Sequence, residues 1–171
     1  MALFIPELIC KTVYDIPLEF FTSKKVKLLI LDIDNTLVTY DDASPIKENL
    51  EWFEMLKSNG IEIAFVSNNS YERVSLYAGN LGYQFAADAK KPFCFGHKKI
   101  ALHYGVLPSE CVCIGDQIFT DVLAAHLFGA GAVLVSPIKD KTDLFMKLKR
   151  KIEKCFINTY NKKAKKENRY D

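Results

Sequence analysis

The run Lys27-Leu28-Leu29-Ile30-Leu31-Asp32-Ile33-Asp34-Asn35-Thr36-Leu37 constrains this chain more than any other stretch. An apolar segment of strand length ends abruptly in two carboxylates spaced i, i+2. Short Val/Ile/Leu runs without alternation suit strands covered on both faces, as a parallel sheet requires. Ligands of open α/β sheets bind beyond the carboxyl ends of the strands. Both acids are therefore expected at the site edge of a central strand. If the backbone stays extended through Ile33, the two carboxylates turn to one side and Ile33 faces apolar packing. Two ionised carboxylates this close repel unless they share a cation or a proton. Taken alone, the pattern reads as a metal or acid/base site, or as a strand that ends in a polar turn.

The remaining chain alternates strand and helix patterns. Helical spacing over Ile46–Ser58 runs through Leu50, Phe53 and Leu56, with Gly60 as its stop. Ile61–Val66 is a second apolar strand, ending in Ser67-Asn68-Asn69-Ser70, a polar end that includes a helix N-cap signal. Tyr71–Leu81 reads as a helix closed by Gly82, and Tyr83–Ala87 as a short strand before Ala89-Lys90-Lys91-Pro92. Phe95–Tyr104 is helical and stops at Gly105. Cys111–Ile114 is a fourth apolar strand, followed by Gly115-Asp116 and a helix over Phe119–Phe128. Ala132–Val135 is a fifth strand. From Thr142, the residues Leu144, Phe145, Leu148, Ile152, Cys155 and Phe156 predict an amphipathic helix. Residues 158–171 form a basic polar tail expected to fray.

This order predicts an α/β fold: a Rossmann-like, mostly parallel central sheet flanked by helices. Three segments follow: a lead over 1–25, a main domain over 26–157 and the tail over 158–171. The lead is rich in large apolar groups, broken by Pro6 and Pro17. It reads first as an element packed on the core and second as a membrane-facing patch. Residues 139–171 carry a local charge of +7 and residues 1–138 a local −5, within a net +2. A basic tail forms a solvated helix face or meets an anionic surface. No run approaches the roughly 18 apolar residues of a membrane span, and the start lacks a signal-peptide pattern. The expected location is cytoplasmic, with peripheral attachment at the inner face of the membrane as the extension of that reading. Cys10, Cys94, Cys111, Cys113 and Cys155 form no disulfide framework and read as reduced thiols.

Polar groups fall where strands end: Asp32 and Asp34, Ser67, Lys91, Asp116 and Asp121. Gathered on one sheet edge, these carboxylates, one cation and one hydroxyl suit a phosphoryl group. A phosphoryl group cannot approach bare carboxylates, and a hard divalent cation such as Mg²⁺ resolves that conflict. Lys91 adds positive charge for the transition state. Ser67 and nearby backbone N–H groups can bind phosphoryl oxygens, and Asp32 can act as a nucleophile. Each residue also has a structural reading: Ser67 as a helix cap, Lys91 as a surface lysine, Asp116 as a turn residue, Asp121 as a first-turn helix acid. Their joint order makes those independent readings less economical. His97, His103 and His126 have no such company and read as structural or solvent-facing.

Asp32-Ile33-Asp34-Asn35-Thr36-Leu37, Ser67, Lys91 and Gly115-Asp116…Asp121 resemble the four motifs of the haloacid dehalogenase (HAD) phosphatase superfamily, over roughly residues 26–137. The resemblance implies Asp32 as nucleophile and Asp34 as the acid and then the base. It implies Mg²⁺ held by Asp32, the backbone carbonyl of Asp34 and Asp116, with Asp121 orienting the metal shell. Lys91 would steady Asp32 and the phosphoryl group, with Ser67 and Asn68 on the substrate. Lys90 is the rival lysine, but the family places its lysine beside the proline. The acid at Asp34 implies rapid hydrolysis of an aspartyl-phosphate, whereas related ion-pumping ATPases have threonine there.

The intervals Asp34 to Ser67 and Ser67 to Lys91 leave no room for a cap domain. The site should be open, which suits phosphate carried on something large. The apolar lead, DIDNTL, VSNNS, AKKP and GDQIFTD resemble the YqeG-type branch, subfamily IIIA, which includes relatives that dephosphorylate phosphatidylglycerophosphate. The implied substrate is that phospholipid headgroup at an anionic membrane surface, with no dedicated nucleic-acid partner. The alternatives are a phosphoprotein, a nucleic acid end or a small phosphomonoester as substrate, and a non-catalytic regulatory protein on the same fold.

Overall fold

The computed structural model describes residues 2–42, 44–139 and 144–167, excepting the side chains of 2, 80, 144–150 and 163–167. Six strands form one sheet: β1 (Leu8–Cys10), β2 (Leu28–Leu31), β3 (Glu62–Val66), β4 (Gln84–Ala86), β5 (Cys111–Gly115) and β6 (Gly131–Val135). Their order is β1-β6-β5-β2-β3-β4, and every pairing is parallel. The helices are α1 (Leu18–Ser23), α2 (Lys47–Ser58), α3 (Tyr71–Ala78), α4 (Phe95–Tyr104), α5 (Leu123–Phe128) and α6 (Leu144–Glu167). This is the α/β, Rossmann-like arrangement that the strand–helix alternation predicts.

β2 is central and buried at every position. Alternate side chains feed two cores. Leu29, Leu31 and Ile33 join Phe53, Phe65 and Tyr77 on one face. Leu28 and Ile30 join Ala64, Ile100, Ala125 and Phe128 on the other. Burying each large apolar side chain contributes about 1.5–3 kcal/mol, so a strand that is apolar throughout gains on both faces. That gain fixes the end of β2, and with it the position of Asp32.

The N-terminal lead supplies the edge strand. Leu8, Ile9 and Cys10 pair with Val133, Leu134 and Val135 of β6. Val13, Ile16 and Phe21 are buried. Phe4 stands against Phe119 and Phe156, at ring-centroid distances of 5.7 and 5.2 Å.

Three helices differ from the sequence expectation. On α2, Leu50 is 41% exposed, while Asn49, Trp52, Phe53 and Leu56 face inward. Asn49 is held by a hydrogen bond that its side-chain Nδ2 donates to the Leu37 carbonyl, at 3.2 Å. That bond satisfies a buried amide, so Asn49 takes the inward place expected of Leu50, while Phe53 and Leu56 face inward as expected. The segment before α5 opens with a π-helical turn, Ile118–Val122, in place of a regular helix from Phe119. On α6, Ile152 and Cys155 face solvent, whereas Glu153 is buried beside the partly buried Phe156 and Ile157. The expected apolar positions Leu144, Phe145 and Leu148 have side chains outside the described residues. α6 continues without a break past residue 157 to Glu167, where fraying was expected. Residues 168–171 lie outside the described residues.

Candidate active site

The site lies at the carboxyl end of the sheet. Asp32 extends β2, its N–H donating to the Ile114 carbonyl at 2.9 Å. The chain then turns through Asn35 in the left-handed region, at φ 69°, a conformation that asparagine tolerates better than most residues. Asn35 is fixed there on both sides: its Nδ2 donates to the Lys139 carbonyl at 2.9 Å, and its Oδ1 accepts from the Lys139 N–H at 3.2 Å. The tight turn sends Thr36 back, and its hydroxyl donates to Asp32 Oδ2 at 3.2 Å.

Lys91 reaches in from the loop after β4. Its Nζ donates to Asp32 Oδ1 at 2.5 Å and to Asp121 Oδ1 at 2.6 Å. Burial works against the ammonium, but the Asp121 and Asp32 carboxylates outweigh it and hold the amine above its ordinary value. Burial pushes Asp32 up to about 7, against the pull of Lys91 and with the Asp121 and Asp116 carboxylates adding to the rise. Carboxyl oxygens of Asp32, Asp116 and Asp121 all lie within 4.8 Å of one another. Three clustered carboxylates are an oxygen-only donor set that fits a hard divalent cation.

Asp121 sits on the π-helical turn, a local insertion that often aims functional side chains. Its Oδ2 accepts from the Gln117 N–H at 3.1 Å and from the Thr120 hydroxyl at 3.3 Å. Gly115 makes room for it, since a Cβ there would stand only 2.5 Å from Asp121 Cβ. Hence Gly115 and Asp121 form one packing unit within Gly115-Asp116…Asp121.

Asp34 stands apart from the carboxylate cluster. Arg73 Nε and Nη2 donate to its Oδ1 at 3.1 and 2.8 Å, and Asn69 Nδ2 donates to its Oδ2 at 3.1 Å. Sequence reasoning missed both partners. One signal was available for Arg73: a cation in the first turn of α3, where the helix dipole favours acids. The pair with Asp34 compensates that unfavourable position. Arg73 Nη2 also donates to the Thr39 carbonyl at 3.2 Å, which ties α3 to the loop after β2.

Ser67 ends β3 and is buried, with its hydroxyl accepting from the Asn69 N–H at 3.0 Å. Asn68, expected on the substrate, lines the same cleft as Ser67, and its side chain also engages the backbone of Lys91. Its Oδ1 accepts the Lys91 N–H at 2.6 Å and its Nδ2 donates to the Lys91 carbonyl at 3.3 Å. A side chain that pairs both the N–H and the C=O of one residue holds Lys91 in register with β3. Asp32, Asp34, Ser67, Lys91 and Asp121 line one open cleft of about 270 Å³, with Tyr40 at its wall. Asp116 is fully buried beneath it. The structure thus brings together residues from four strand ends. The intervals leading to Ser67 and to Lys91 each contain, among the described residues, one α-helix and one strand, and no cap domain.

Residues 1–139 match the family model described as mitochondrial PGP phosphatase. The chain belongs to that family. It is 32% identical over 161 residues to a Bacillus subtilis (strain 168) protein named "Probable phosphatase YqeG", covering 94% of each chain. It is 28% identical over 145 residues to the mitochondrial phosphatidylglycerophosphatase GEP4 of Saccharomyces cerevisiae, covering 76% of each. The fold resembles that of a HAD phosphatase from Thermococcus onnurineus, with a TM-score of 0.55 at 16% identity, over 70% of this chain and 90% of that one. It also resembles the cobalt-bound deoxy-D-mannose-octulosonate 8-phosphate phosphatase of Haemophilus influenzae, with a TM-score of 0.51 at 16% identity, over 81% and 91%. As a PGP phosphatase family member the chain is a phosphatase of the HAD type, an enzyme acting on a phosphorylated substrate. Among the described residues, no helix is long and apolar enough to cross a membrane.

Proposed function

We propose that this phosphatase hydrolyses phosphatidylglycerophosphate to phosphatidylglycerol and phosphate, with Mg²⁺ bound by Asp32 and Asp116 and oriented by Asp121. The observation that supports this most directly is the Lys91 bridge between Asp32 and Asp121, beside Asp116, in an open cleft. The GEP4 relative, a phosphatidylglycerophosphatase by name, supports the substrate.

Bound Mg²⁺ would supply charge to offset the carboxylates and the phosphoryl oxygens. Asp32 attacks the terminal phosphorus, forming an aspartyl-phosphate as the bond to the glycerol oxygen breaks. Lys91 holds Asp32 in line and offsets charge on the phosphoryl oxygens. Asp34 gives a proton to the departing alkoxide, then takes one from the water that attacks the same phosphorus. Water adds to phosphorus, the bond to Asp32 breaks, and inorganic phosphate leaves. Ser67 and the backbone beside it receive phosphoryl oxygens. Asn69 and Arg73 position Asp34 through their hydrogen bonds to it. With no cap over the cleft among the described residues, a headgroup still attached to a bilayer can enter.

The test is phosphate release with and without Mg²⁺, on phosphatidylglycerophosphate against a panel of soluble phosphomonoesters. Preference for the lipid, lost in Asp32→Asn while the circular dichroism spectrum is kept, is the expected result. Strong preference for a nucleotide, sugar phosphate or phosphoprotein would reject the lipid substrate. Undiminished turnover in Asp32→Asn would reject the nucleophile.

A further inference from the structure

Directly after Lys91 the chain turns outward and displays two aromatic rings. Phe93 and Phe95 are 61% and 73% exposed. Their rings stack, with centroids 6.3 Å apart and planes 27° from parallel. Tyr71, exposed at the start of α3, lies against Phe85 at 5.5 Å. With Lys90 and Lys99, these four aromatic residues line an open hollow of about 500 Å³.

Two observations indicate what covers this ledge. The first is charge. Lys90 and Lys99 line the hollow with the rings, and Lys98 precedes Lys99 on α4; all three are exposed, and among the described residues none of them enters an ion pair. The exposed acid in the hollow is Asp88. Lysine is depleted in protein–protein interfaces, whereas aromatic rings ringed by lysine suit a bilayer surface, where apolar bodies enter the interface and cations meet anionic headgroups.

The second is continuity with the cleft. The hollow and the cleft share a wall: the Asp88 N–H donates to the Asn69 carbonyl at 2.9 Å and the Ala89 N–H to the Ser67 carbonyl at 3.0 Å. Phe93 follows Lys91 by two residues, and Lys91 is pinned by Asn68. A surface seated on Phe93 and Phe95 therefore lies next to the opening that leads to Asp32.

We infer that Phe93 and Phe95, with Lys90, Lys98 and Lys99, form the surface by which this protein docks on an anionic lipid bilayer, an inference that rests on the phospholipid reading above. The rings enter the interfacial layer, the lysines meet the headgroups, and a headgroup bearing the terminal phosphate reaches the cleft without leaving the membrane.

The experiment compares the full chain with Phe93→Ala/Phe95→Ala and Lys98→Glu/Lys99→Glu double variants. Sedimentation is measured with phosphatidylglycerol-containing vesicles and with phosphatidylcholine vesicles. Hydrolysis of para-nitrophenyl phosphate is measured in parallel. Expected are selective binding of the wild type to the anionic vesicles, at least tenfold weaker binding by both variants, and para-nitrophenyl phosphate turnover within twofold of wild type. Variants that bind these vesicles as wild type does, or a wild type that binds neither vesicle, overturn the surface. A Phe93→Ala/Phe95→Ala protein that differs from wild type only in oligomeric state makes the ledge a protein interface and also overturns it. Binding through Phe93 and Phe95 without phosphate release from vesicle phosphatidylglycerophosphate supports the surface and removes the substrate. Hydrolysis of that lipid in detergent micelles, without vesicle binding, leaves the substrate reading standing and removes the surface.

Discussion

Glu153 Oε1 accepts a hydrogen bond from the Ile118 N–H at 2.9 Å, joining α6 to the first residue of the turn that carries Asp121. Glu153 is buried. Removing its carboxylate leaves a buried N–H without that acceptor, at a cost of about 1–3 kcal/mol. Glu153→Ala is expected to lower kcat more than tenfold through displacement of Asp121, whereas Glu153→Gln keeps the acceptor and most of the rate. Equal kcat in Glu153→Ala and wild type would show that α6 does not position the turn.

Gly115→Ala tests the other constraint on Asp121. The added Cβ meets Asp121 at a separation real side chains do not adopt. Over-packing of this kind costs about 1–3 kcal/mol, so the urea midpoint should fall and turnover should be lost with it. A variant with wild-type activity would mean that the turn moves without consequence.

The Arg73–Asp34 pair is largely sheltered, with side chains 15% and 6% exposed. Neighbours in one hydrogen-bonded network couple by about 0.5–3 kcal/mol. In a double-mutant cycle of Arg73→Met and Asp34→Asn, chemical denaturation should return a coupling above about 1 kcal/mol. Additive single effects would deny that the two side chains act together.

Divalent cation binding should register in the melting temperature. A ligand that binds only the native state at about 100 times its Kd adds about 2.7 kcal/mol. Millimolar Mg²⁺ is expected to raise Tm by several degrees, and EDTA to reverse the rise. Asp116→Asn should remove most of the response. An identical Tm with and without Mg²⁺ for the wild type would count against the carboxylate cluster as a metal site.

Burial, aided by the nearby Lys91 ammonium, pushes His97 down to about 4. The unfolded chain, with an ordinary histidine near 6.5, then binds the extra proton below that pH. Stability contributed by the neutral ring is complete above pH 6.5 and is lost as pH falls towards 4, by roughly 2–3 kcal/mol. Denaturant midpoints at pH 7 and 4.5 should differ less in His97→Gln than in wild type. Parallel pH profiles for the two proteins would remove His97 from the acid limb.

Much of this site was legible because each apolar strand ends in its polar group. β2 to Asp32, β3 to Ser67 and β5 to Asp116 follow one grammar: continuous burial, then an abrupt charge or hydroxyl. Arg73 and Glu153 obey no such grammar. Each lies inside a helix, and each is explained only by a partner far away in sequence, Asp34 and the Ile118 N–H. The same limit accounts for α2 and α6. Apolar spacing favoured Leu50 and Ile152, but a paired buried amide at Asn49 and a paired buried acid at Glu153 set the inward faces. β1 was hidden for a different reason: three residues between two prolines carry too little pattern to separate a strand from a loop.

The partnership of β1 with β6 has a kinetic consequence. β2, β3, β4 and β5 all lie in sequence between Leu8 and the strand that receives it, which contains Val133. All four must be made before that edge of the sheet can close, and long-range pairing is slow to form. During synthesis the Leu8–Cys10 segment waits with its ladder unpaired. The nascent chain therefore presents an unsealed edge of β5 until β6 arrives, an interval in which a holding chaperone has a defined segment to protect.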